Sequence, residues 1–169
     1  MHIPRFPEPA ATGTVAIRAS PAEAYAVIGD PTVMVRFAEE AYRARWLDGA
    51  TGPTVGARFQ GWNRNGLRRW ATRCRVTDAE PAQRFAYEVT ATPLALPISR
   101  WQYDIEPTGD GCTVTETNWM RVPLWFIPAA VLITGVLDRR SANGTHIGTT
   151  LERLKTHLES VPSPRPTAP

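Results

Sequence analysis

Two turn sequences, each placed between segments of alternating polar and apolar residues, constrain the fold of this chain most strongly. Asn65-Gly66 is a dipeptide typical of two-residue β-hairpin turns. Residues 108–111 (Thr-Gly-Asp-Gly) indicate a second hairpin in the same way. With the alternating segments elsewhere, these turns predict an antiparallel sheet of about seven strands. The predicted strands cover residues 14–18, 41–48, 55–64, 67–77, 83–90, 98–106 and 112–121.

Helix signals lie after the first predicted strand and after the last one. Ser20 and Glu23 can form a capping box, and Asp30 followed by a proline repeats the start signal. We therefore expect two short helices between the first two strands. A stripe of apolar residues at helical spacing predicts a long helix over residues 137–160. This order is typical of an α+β fold in which a curved sheet wraps around the C-terminal helix and leaves a cavity between them.

The composition is that of a globular protein with a modest basic excess. Of 169 residues, 43% are hydrophobic and 21% are charged, which fits one domain. We expect this domain to cover residues 12–160, between a flexible N-terminal tail (1–11) and a flexible proline-rich tail (161–169). The 18 arginines and one lysine give a net charge of only +3. Because nucleic-acid binders usually carry a larger and more localised excess, we expect no nucleic-acid partner.

Cysteine and histidine are too sparse for a disulfide framework or a metal site. The two cysteines, Cys74 and Cys112, form no C-x-x-C motif, and no histidine has the spacing of a metal ligand. No glycine-rich phosphate loop is present either, so we expect neither a metal nor a nucleotide cofactor. The N-terminal residues lack the apolar core of a secretory signal, and free thiols suit a reducing compartment. These features predict a cytoplasmic protein.

Residues 122–137 form an apolar segment without a single charge. A membrane-spanning helix needs about 20 apolar residues, and this segment is shorter and interrupted by two prolines and a glycine. We therefore expect a buried or pocket-covering element. The alternatives are a mobile lid that docks on a membrane or a partner, packing against the end of the sheet, and a dimer interface.

Short segments spread over residues 12–160 match the pattern of a known superfamily. They are residues 15–25, 56–64, 69–76, 80–85, 101–103, 113–116 and 150–155. In these segments the chain resembles the SRPBCC superfamily of START and birch-pollen-allergen-like domains, and most of all its polyketide cyclase/dehydrase and lipid-transport branch. The resemblance implies a helix-grip fold with a ligand pocket. It implies no particular reaction, because the family has no single catalytic motif.

The first hairpin turn predicts which side chains face the pocket. A two-residue turn at Asn65-Gly66 pairs Arg64 with Leu67 and places Gly61 opposite Trp70, where the missing side chain leaves room for an indole. Side chains then alternate between the two faces of the sheet. The outward set contains five arginines, Arg58, Arg64, Arg69, Arg73 and Arg75. They are interpreted either as a solvated face or as a contact for an acidic lipid or partner.

The second hairpin predicts the polar part of the pocket. A four-residue loop over 108–111 pairs Tyr103 with Glu116 and Trp101 with Asn118 on the inner face. The inner face is then aromatic with a few polar groups, as a small-molecule site requires. The predicted ligand-binding residues are Phe59, Asn63, Arg68, Trp70, Tyr87, Trp101, Asn118 and Asn143.

Glu116 is the candidate that carries most chemistry. A carboxylate on an inward position is costly unless it is paired or protonated. A structural interpretation pairs it with Arg68 or Arg140, or makes it the acceptor of the Tyr103 hydroxyl. The catalytic interpretation uses burial to raise the pKa of Glu116, so that Glu116 and Tyr103 transfer protons in ring closure or dehydration.

These observations leave three functional hypotheses. The first is binding, and potentially transport, of a lipid-like or polyketide-like hydrophobic molecule between the sheet and the C-terminal helix. The second is an enzyme of the aromatase/cyclase or dehydratase type that uses Glu116 and Tyr103. The third is a protein-interaction module whose cavity is filled by its own side chains. The ligand and the oligomeric state are not specified by the sequence.

Overall fold

The computed structural model describes residues 8–160, which form one antiparallel sheet and four helices. The strands are β1 (Ala11–Ile17), β2 (Ala41–Trp46), β3 (Arg58–Asn65), β4 (Arg68–Glu80), β5 (Arg84–Ala91), β6 (Leu96–Thr108) and β7 (Gly111–Met120). The helices are α1 (Pro21–Ile28), α2 (Pro31–Met34), α3 (Ile127–Thr134) and α4 (Arg139–Ser160). The strand order in the sheet is β1-β7-β6-β5-β4-β3-β2. The predicted helix-grip fold, a seven-stranded curved sheet around a long C-terminal helix, is confirmed.

The ends of the chain extend beyond the described residues. The predicted C-terminal tail (161–169) and most of the predicted N-terminal tail lie outside residues 8–160. β1 begins at Ala11, three residues before the predicted strand and still within the predicted tail. No helix within the described ranges is long and apolar enough to cross a membrane.

Local signals place α1 and α2 immediately after β1. The Ser20 hydroxyl accepts a hydrogen bond from the Glu23 amide at 3.2 Å, and the Glu23 carboxylate accepts one from the Ser20 amide at 2.8 Å. This reciprocal pair is the predicted capping box. Asp30 Oδ1 accepts from the Thr32 amide at 2.9 Å and starts α2. α2 ends at Met34 after four residues.

The long helix α4 packs on β1 at one edge of the sheet. Ile147, Leu151, Leu154 and Leu158, the apolar stripe of the sequence, are all buried. Gly13 on β1 permits this close approach, because a Cβ there would lie 2.7 Å from Ile147 Cγ2. At the start of α4, Arg139 Nη1 is 2.7 Å from Glu40 Oε2 and ties the helix to the segment before β2. α4 therefore contacts the sheet at its edge and leaves the centre of the concave face uncovered.

The β3–β4 register differs by two residues from the predicted one. Asn65 pairs with Arg68, and Gly61 faces Thr72, so the predicted pairs of Arg64 with Leu67 and of Gly61 with Trp70 are wrong. The turn consists of Gly66 and Leu67, because Gly66 takes the positive φ (57°) that a two-residue turn of type II′ needs at its first central position. A shift by two keeps every side chain on its predicted face.

The β6–β7 register is confirmed. Tyr103 lies opposite Glu116, Trp101 opposite Asn118, and Ile105 opposite Val114. Thr108 pairs with Gly111, so the turn itself contains two residues. The five arginines predicted on the outer face of β3 and β4 are all exposed.

The start of β7 imposes a strict steric limit. A Cβ on Gly111 would lie 2.0 Å from the Ile17 carbonyl oxygen, whereas a Cβ on Gly109 would meet nothing within 4 Å. We expect Gly111→Ala to lower the free energy of unfolding by about 2–3 kcal/mol, because the β1 backbone has to move. Gly109→Ala, in the same turn, is the matched control and should have almost no effect. Urea denaturation of both variants measures the difference, and equal stabilities would contradict the packing described here.

Candidate functional site

A cavity of about 860 Å³ lies between the concave face of the sheet and the helices. Strands β2 to β7 supply one wall, and α1, α2, α3 and α4 close the other sides. The apolar lining is mostly aromatic and aliphatic. Among the predicted site residues, the cavity is lined by Phe59, Asn63, Trp70, Tyr87, Trp101, Tyr103, Glu116 and Asn143. Two predicted ligand-binding residues, Arg68 and Asn118, do not line it.

Arg68 is exposed at the tip of the β3–β4 hairpin, outside the cavity. Its Nε donates to the Leu132 carbonyl oxygen at 3.1 Å, so the side chain binds the end of α3. The prediction placed it inward by alternation alone. Arg68 is the first residue of β4 and pairs only with Asn65 of β3, because β5 pairs with β4 only from Thr72 onward. The cavity wall therefore does not extend to Arg68.

Asn118 is fully buried behind the cavity wall. Its Oδ1 accepts from Asn143 Nδ2 at 2.8 Å, and its Nδ2 donates to the Arg100 carbonyl oxygen at 3.2 Å. Asn118 therefore acts as a positioning residue for Asn143, which lines the cavity from α4. A buried amide needs several partners, and these two hydrogen bonds supply them without a ligand.

Tyr103 and Glu116 form the buried polar centre of the cavity. The Tyr103 hydroxyl donates to Glu116 Oε1 at 2.7 Å. This is one of the structural interpretations predicted for Glu116. The other two, ion pairs with Arg68 or Arg140, do not occur within residues 8–160. Glu116 Oε2 is the one fully buried side-chain polar atom in the described residues that has no hydrogen-bond partner.

Burial sets the protonation state of this carboxyl group. Loss of hydration raises the pKa of Glu116 from 4.5 to about 8, and the hydrogen bond from Tyr103 opposes only part of that rise. Burial also raises the pKa of Tyr103 well above its ordinary value. At neutral pH the carboxyl is therefore mostly protonated. Because Oε1 accepts the Tyr103 hydrogen bond, the carboxyl proton belongs on Oε2.

Aromatic rings form the floor of the cavity. Phe59 and Tyr87 contact each other edge to face, with ring centroids 5.1 Å apart. Trp46 packs on Phe59 at 5.6 Å, and Phe85 packs on Tyr87 at 5.7 Å. The Trp101 indole donates to Ser99 Oγ at 3.2 Å, which fixes the ring in the wall. Such rings hold apolar molecules by burying surface and impose a preferred orientation on flat ones.

Several residues that line the cavity were not predicted from the sequence. α3 contributes Ile127, Val131 and Thr134 to the cavity, and the β5–β6 connection contributes residues 92–94. The apolar run 122–137 did indicate a pocket-covering element, but its lack of periodicity could not show which side chains point inward. No signal in the sequence marked residues 92–94. Within residues 8–160, no group of three His, Cys, Asp or Glu side chains is placed to hold a metal ion.

Comparison with solved structures places this architecture among known proteins. The chain is 29% identical to the Polyketide_cyc-like protein Cgl2372 of Corynebacterium glutamicum (TM-score 0.60), over 91% of this chain and 94% of that one. It also resembles the di-domain ARO/CYC StfQ from the steffimycin biosynthetic pathway (14% identity, TM-score 0.68). That match covers 88% of this chain but only 49% of StfQ. Protein CV1439 of Chromobacterium violaceum matches with 15% identity and a TM-score of 0.64, over 89% and 96% of the two chains.

The fold and its cavity define a member of the SRPBCC superfamily. A family model described as polyketide cyclase/dehydrase and lipid transport matches residues 8–159, so the chain belongs to this family. Among curated proteins, none matches this chain.

The raised pKa of Glu116 makes stability depend on pH. Between about pH 4.5 and 8 the folded protein holds a proton that the unfolded chain has lost, so stability falls as pH rises through this window. Relative to Glu116→Gln, which cannot titrate, the wild type should lose up to roughly 1.4 kcal/mol per pH unit. Denaturation midpoints of both proteins across this range measure the difference. Parallel curves would show that Glu116 titrates normally.

Proposed function

We propose that this protein binds a hydrophobic small molecule, lipid-like or polyketide-like, in the cavity between the sheet and α4. The observation that carries the proposal is the buried Glu116 carboxyl, whose Oε2 has no hydrogen-bond partner, in an aromatic cavity of about 860 Å³. Cavities of this size accommodate drug-sized ligands, and a few fixed polar groups in apolar walls orient such ligands. The family description agrees with this class of ligand.

The polar centre specifies what the ligand has to offer. A protonated Glu116 donates a hydrogen bond from Oε2, so the complementary ligand atom is a carbonyl, ester or ether oxygen. This hydrogen bond would give the buried Glu116 Oε2 the partner that it lacks. Because an unsatisfied buried polar group costs about 1–3 kcal/mol, the bond should favour ligand binding. Asn143, on α4, also lines the cavity and offers a second polar group.

A catalytic role for the same pair is the second candidate. The observation that favours it is the pKa of Glu116 at about 8, which suits proton donation near neutral pH. In an aromatase/cyclase or dehydratase reaction, Glu116 would protonate a carbonyl or a leaving hydroxyl, and Tyr103 would stabilise the resulting carboxylate. The structural relationship to StfQ, an ARO/CYC from a biosynthetic pathway, is consistent with this chemistry. The third hypothesis, an interior filled by its own side chains, is disfavoured by the volume of the cavity.

Filling the cavity should abolish binding. Ala44 lines the cavity opposite Gly61, where the sheet has no side chain on the facing strand. We expect Ala44→Phe to lose any molecules that co-purify with the wild type. We also expect its affinity for an apolar fluorescent probe to fall by tenfold or more. Ala22→Phe, on the exposed face of α1, is the matched control. Native mass spectrometry of freshly purified proteins and probe titrations measure both effects.

The result can contradict the proposal in two ways. If the wild type carries no hydrophobic molecule and binds no apolar probe, the cavity is not a ligand site. If Ala44→Phe binds the probe as tightly as Ala22→Phe does, the probe binds elsewhere.

Glu116→Gln separates binding from catalysis. The amide keeps a hydrogen-bond donor but has no acidic proton, so we expect ligand affinity to change by less than about tenfold, a difference of 1.4 kcal/mol. Turnover of a poly-β-ketone mimic should fall by a factor of about 100 or more if Glu116 supplies the proton. Turnover that survives in Glu116→Gln would exclude the catalytic role, and absence of turnover in the wild type would leave binding as the function.

A further inference from the structure

Helix α3 is apolar on all sides, yet none of its residues is buried. Its sequence from Ile127 to Thr134 contains no charged residue and one polar one. Helices that are apolar all round normally lie inside a protein or in a lipid environment. Most of α3 lines the cavity, through Ile127, Ala130, Val131, Ile133 and Thr134, whereas Pro128, Ala129 and Leu132 do not line it.

Large apolar side chains are exposed along this segment and at the hairpin beside it. Leu132 is 75% exposed and Trp125 is 70% exposed, and neither lines the cavity. Leu124, Ile127, Ile133 and Leu137 are also exposed, although each of them lines the cavity as well. Leu67 at the tip of the β3–β4 hairpin is fully exposed. Contiguous exposed apolar groups of this kind mark an interaction surface.

The β3–β4 hairpin brings basic side chains to the same place. Asn65 Nδ2 donates to the Thr134 carbonyl oxygen at 2.9 Å, and Arg68 Nε donates to the Leu132 carbonyl oxygen at 3.1 Å. These two bonds hold the hairpin tip against the C-terminal end of α3. Arg64 and Arg69 stand opposite each other one step from the turn.

These arginines form no ion pair within the part of the chain that the structure describes. None of Arg64, Arg68 and Arg69 forms a salt bridge with an acidic residue of the described chain, although Arg64 and Arg69 both lie over the Tyr42 ring, at 5.5 and 5.9 Å. Like charges directly opposite each other destabilise a sheet. The unpaired positive charges of Arg64 and Arg69, next to the exposed Leu67, are complementary to an external anion.

We propose that the exposed side of residues 124–137 and the β3–β4 hairpin tip together form a docking surface for an anionic lipid bilayer. Trp125, Leu132 and Leu67 would enter the interface, and Arg64, Arg68 and Arg69 would contact lipid phosphates. Apolar insertion combined with basic residues is the chemistry of peripheral membrane binding. Because α3 also lines the cavity, docking brings one side of the cavity to the bilayer.

The combination of groups favours a membrane over other partners. A nucleic acid would use the arginines but would leave the exposed leucines and Trp125 without a role. A second copy of this chain would cover the apolar groups but would bring its own arginines against them, which adds like-charge repulsion. An anionic bilayer satisfies both features at once.

Vesicle flotation tests the proposal with the full-length protein at about 0.15 M NaCl. We expect binding to vesicles of phosphatidylcholine with about one-third phosphatidylglycerol, and little binding to phosphatidylcholine alone. Arg64→Gln/Arg69→Gln should weaken partitioning roughly 30-fold, because each basic residue at the surface contributes about 1 kcal/mol. Leu132→Ser should also weaken partitioning to the anionic vesicles, although it does not change the net charge of the protein.

A control of equal charge identifies the location of the surface. Arg73→Gln/Arg75→Gln also removes two charges from the same outer face, but roughly 13–20 Å further along β4 than Arg69. It should change partitioning less than about threefold, since the distance exceeds the screening length. Arg64→Gln/Arg69→Gln removes a repulsive pair together with two contacts to the Tyr42 ring and leaves the buried core unchanged, so it should still fold.

Three results would overturn the proposal. They are failure of the wild type to bind the anionic vesicles, equal loss in both double variants, and a dimer that Leu132→Ser disrupts while no vesicle binding occurs. The cavity-filled Ala44→Phe variant should still bind vesicles. Membrane docking can therefore fail or succeed independently of ligand binding.

Discussion

The register of the β6–β7 hairpin places Tyr103 opposite Glu116, and the polar part of the cavity depends on this pair. Because the surrounding walls are aromatic and aliphatic, the carboxyl group loses its hydration and its neutral form is favoured. Tyr103 occupies Oε1, so the acidic proton is left at Oε2. Under the proposed function, this carboxyl group is a fixed hydrogen-bond donor to a ligand in an apolar pocket, and the same raised pKa would suit proton transfer.

The fold and the faces of the strands could be predicted from the sequence because they follow from alternation and turn chemistry. The capping box at Ser20 and the stripe on α4 are local signals, and both helices form as predicted. The β3–β4 register was wrong by two residues, since either Asn65-Gly66 or Gly66-Leu67 can form a two-residue turn. The predicted faces of the β3 and β4 side chains are still correct, because a register shift of two residues preserves the alternation.

Most of the predicted site residues line the cavity, and the exceptions have physical reasons. Alternation gives the side of a sheet but not the distance to its end, so Arg68 was placed inward although it lies at the hairpin tip. Alternation also does not show whether a side chain reaches the cavity surface. Asn118 was therefore predicted to bind ligand, although it lies behind the cavity wall and accepts a hydrogen bond from Asn143. The path of residues 122–137 depends on hydrogen bonds from Asn65 and Arg68 to α3 carbonyl oxygens, and such long-range contacts leave no periodic pattern. These contacts are also what joins the apolar segment to the basic hairpin tip.

The central claim is that Glu116 is a neutral hydrogen-bond donor in the cavity at physiological pH. The most direct measurement is an NMR titration of the side-chain carboxyl carbon of Glu116, with Glu116→Gln used to assign its signal. We predict a pKa of about 8, shifted further upward by a bound ligand that accepts a hydrogen bond from the protonated carboxyl group. A titration near the ordinary glutamate value of 4.5, with or without ligand, would contradict the account.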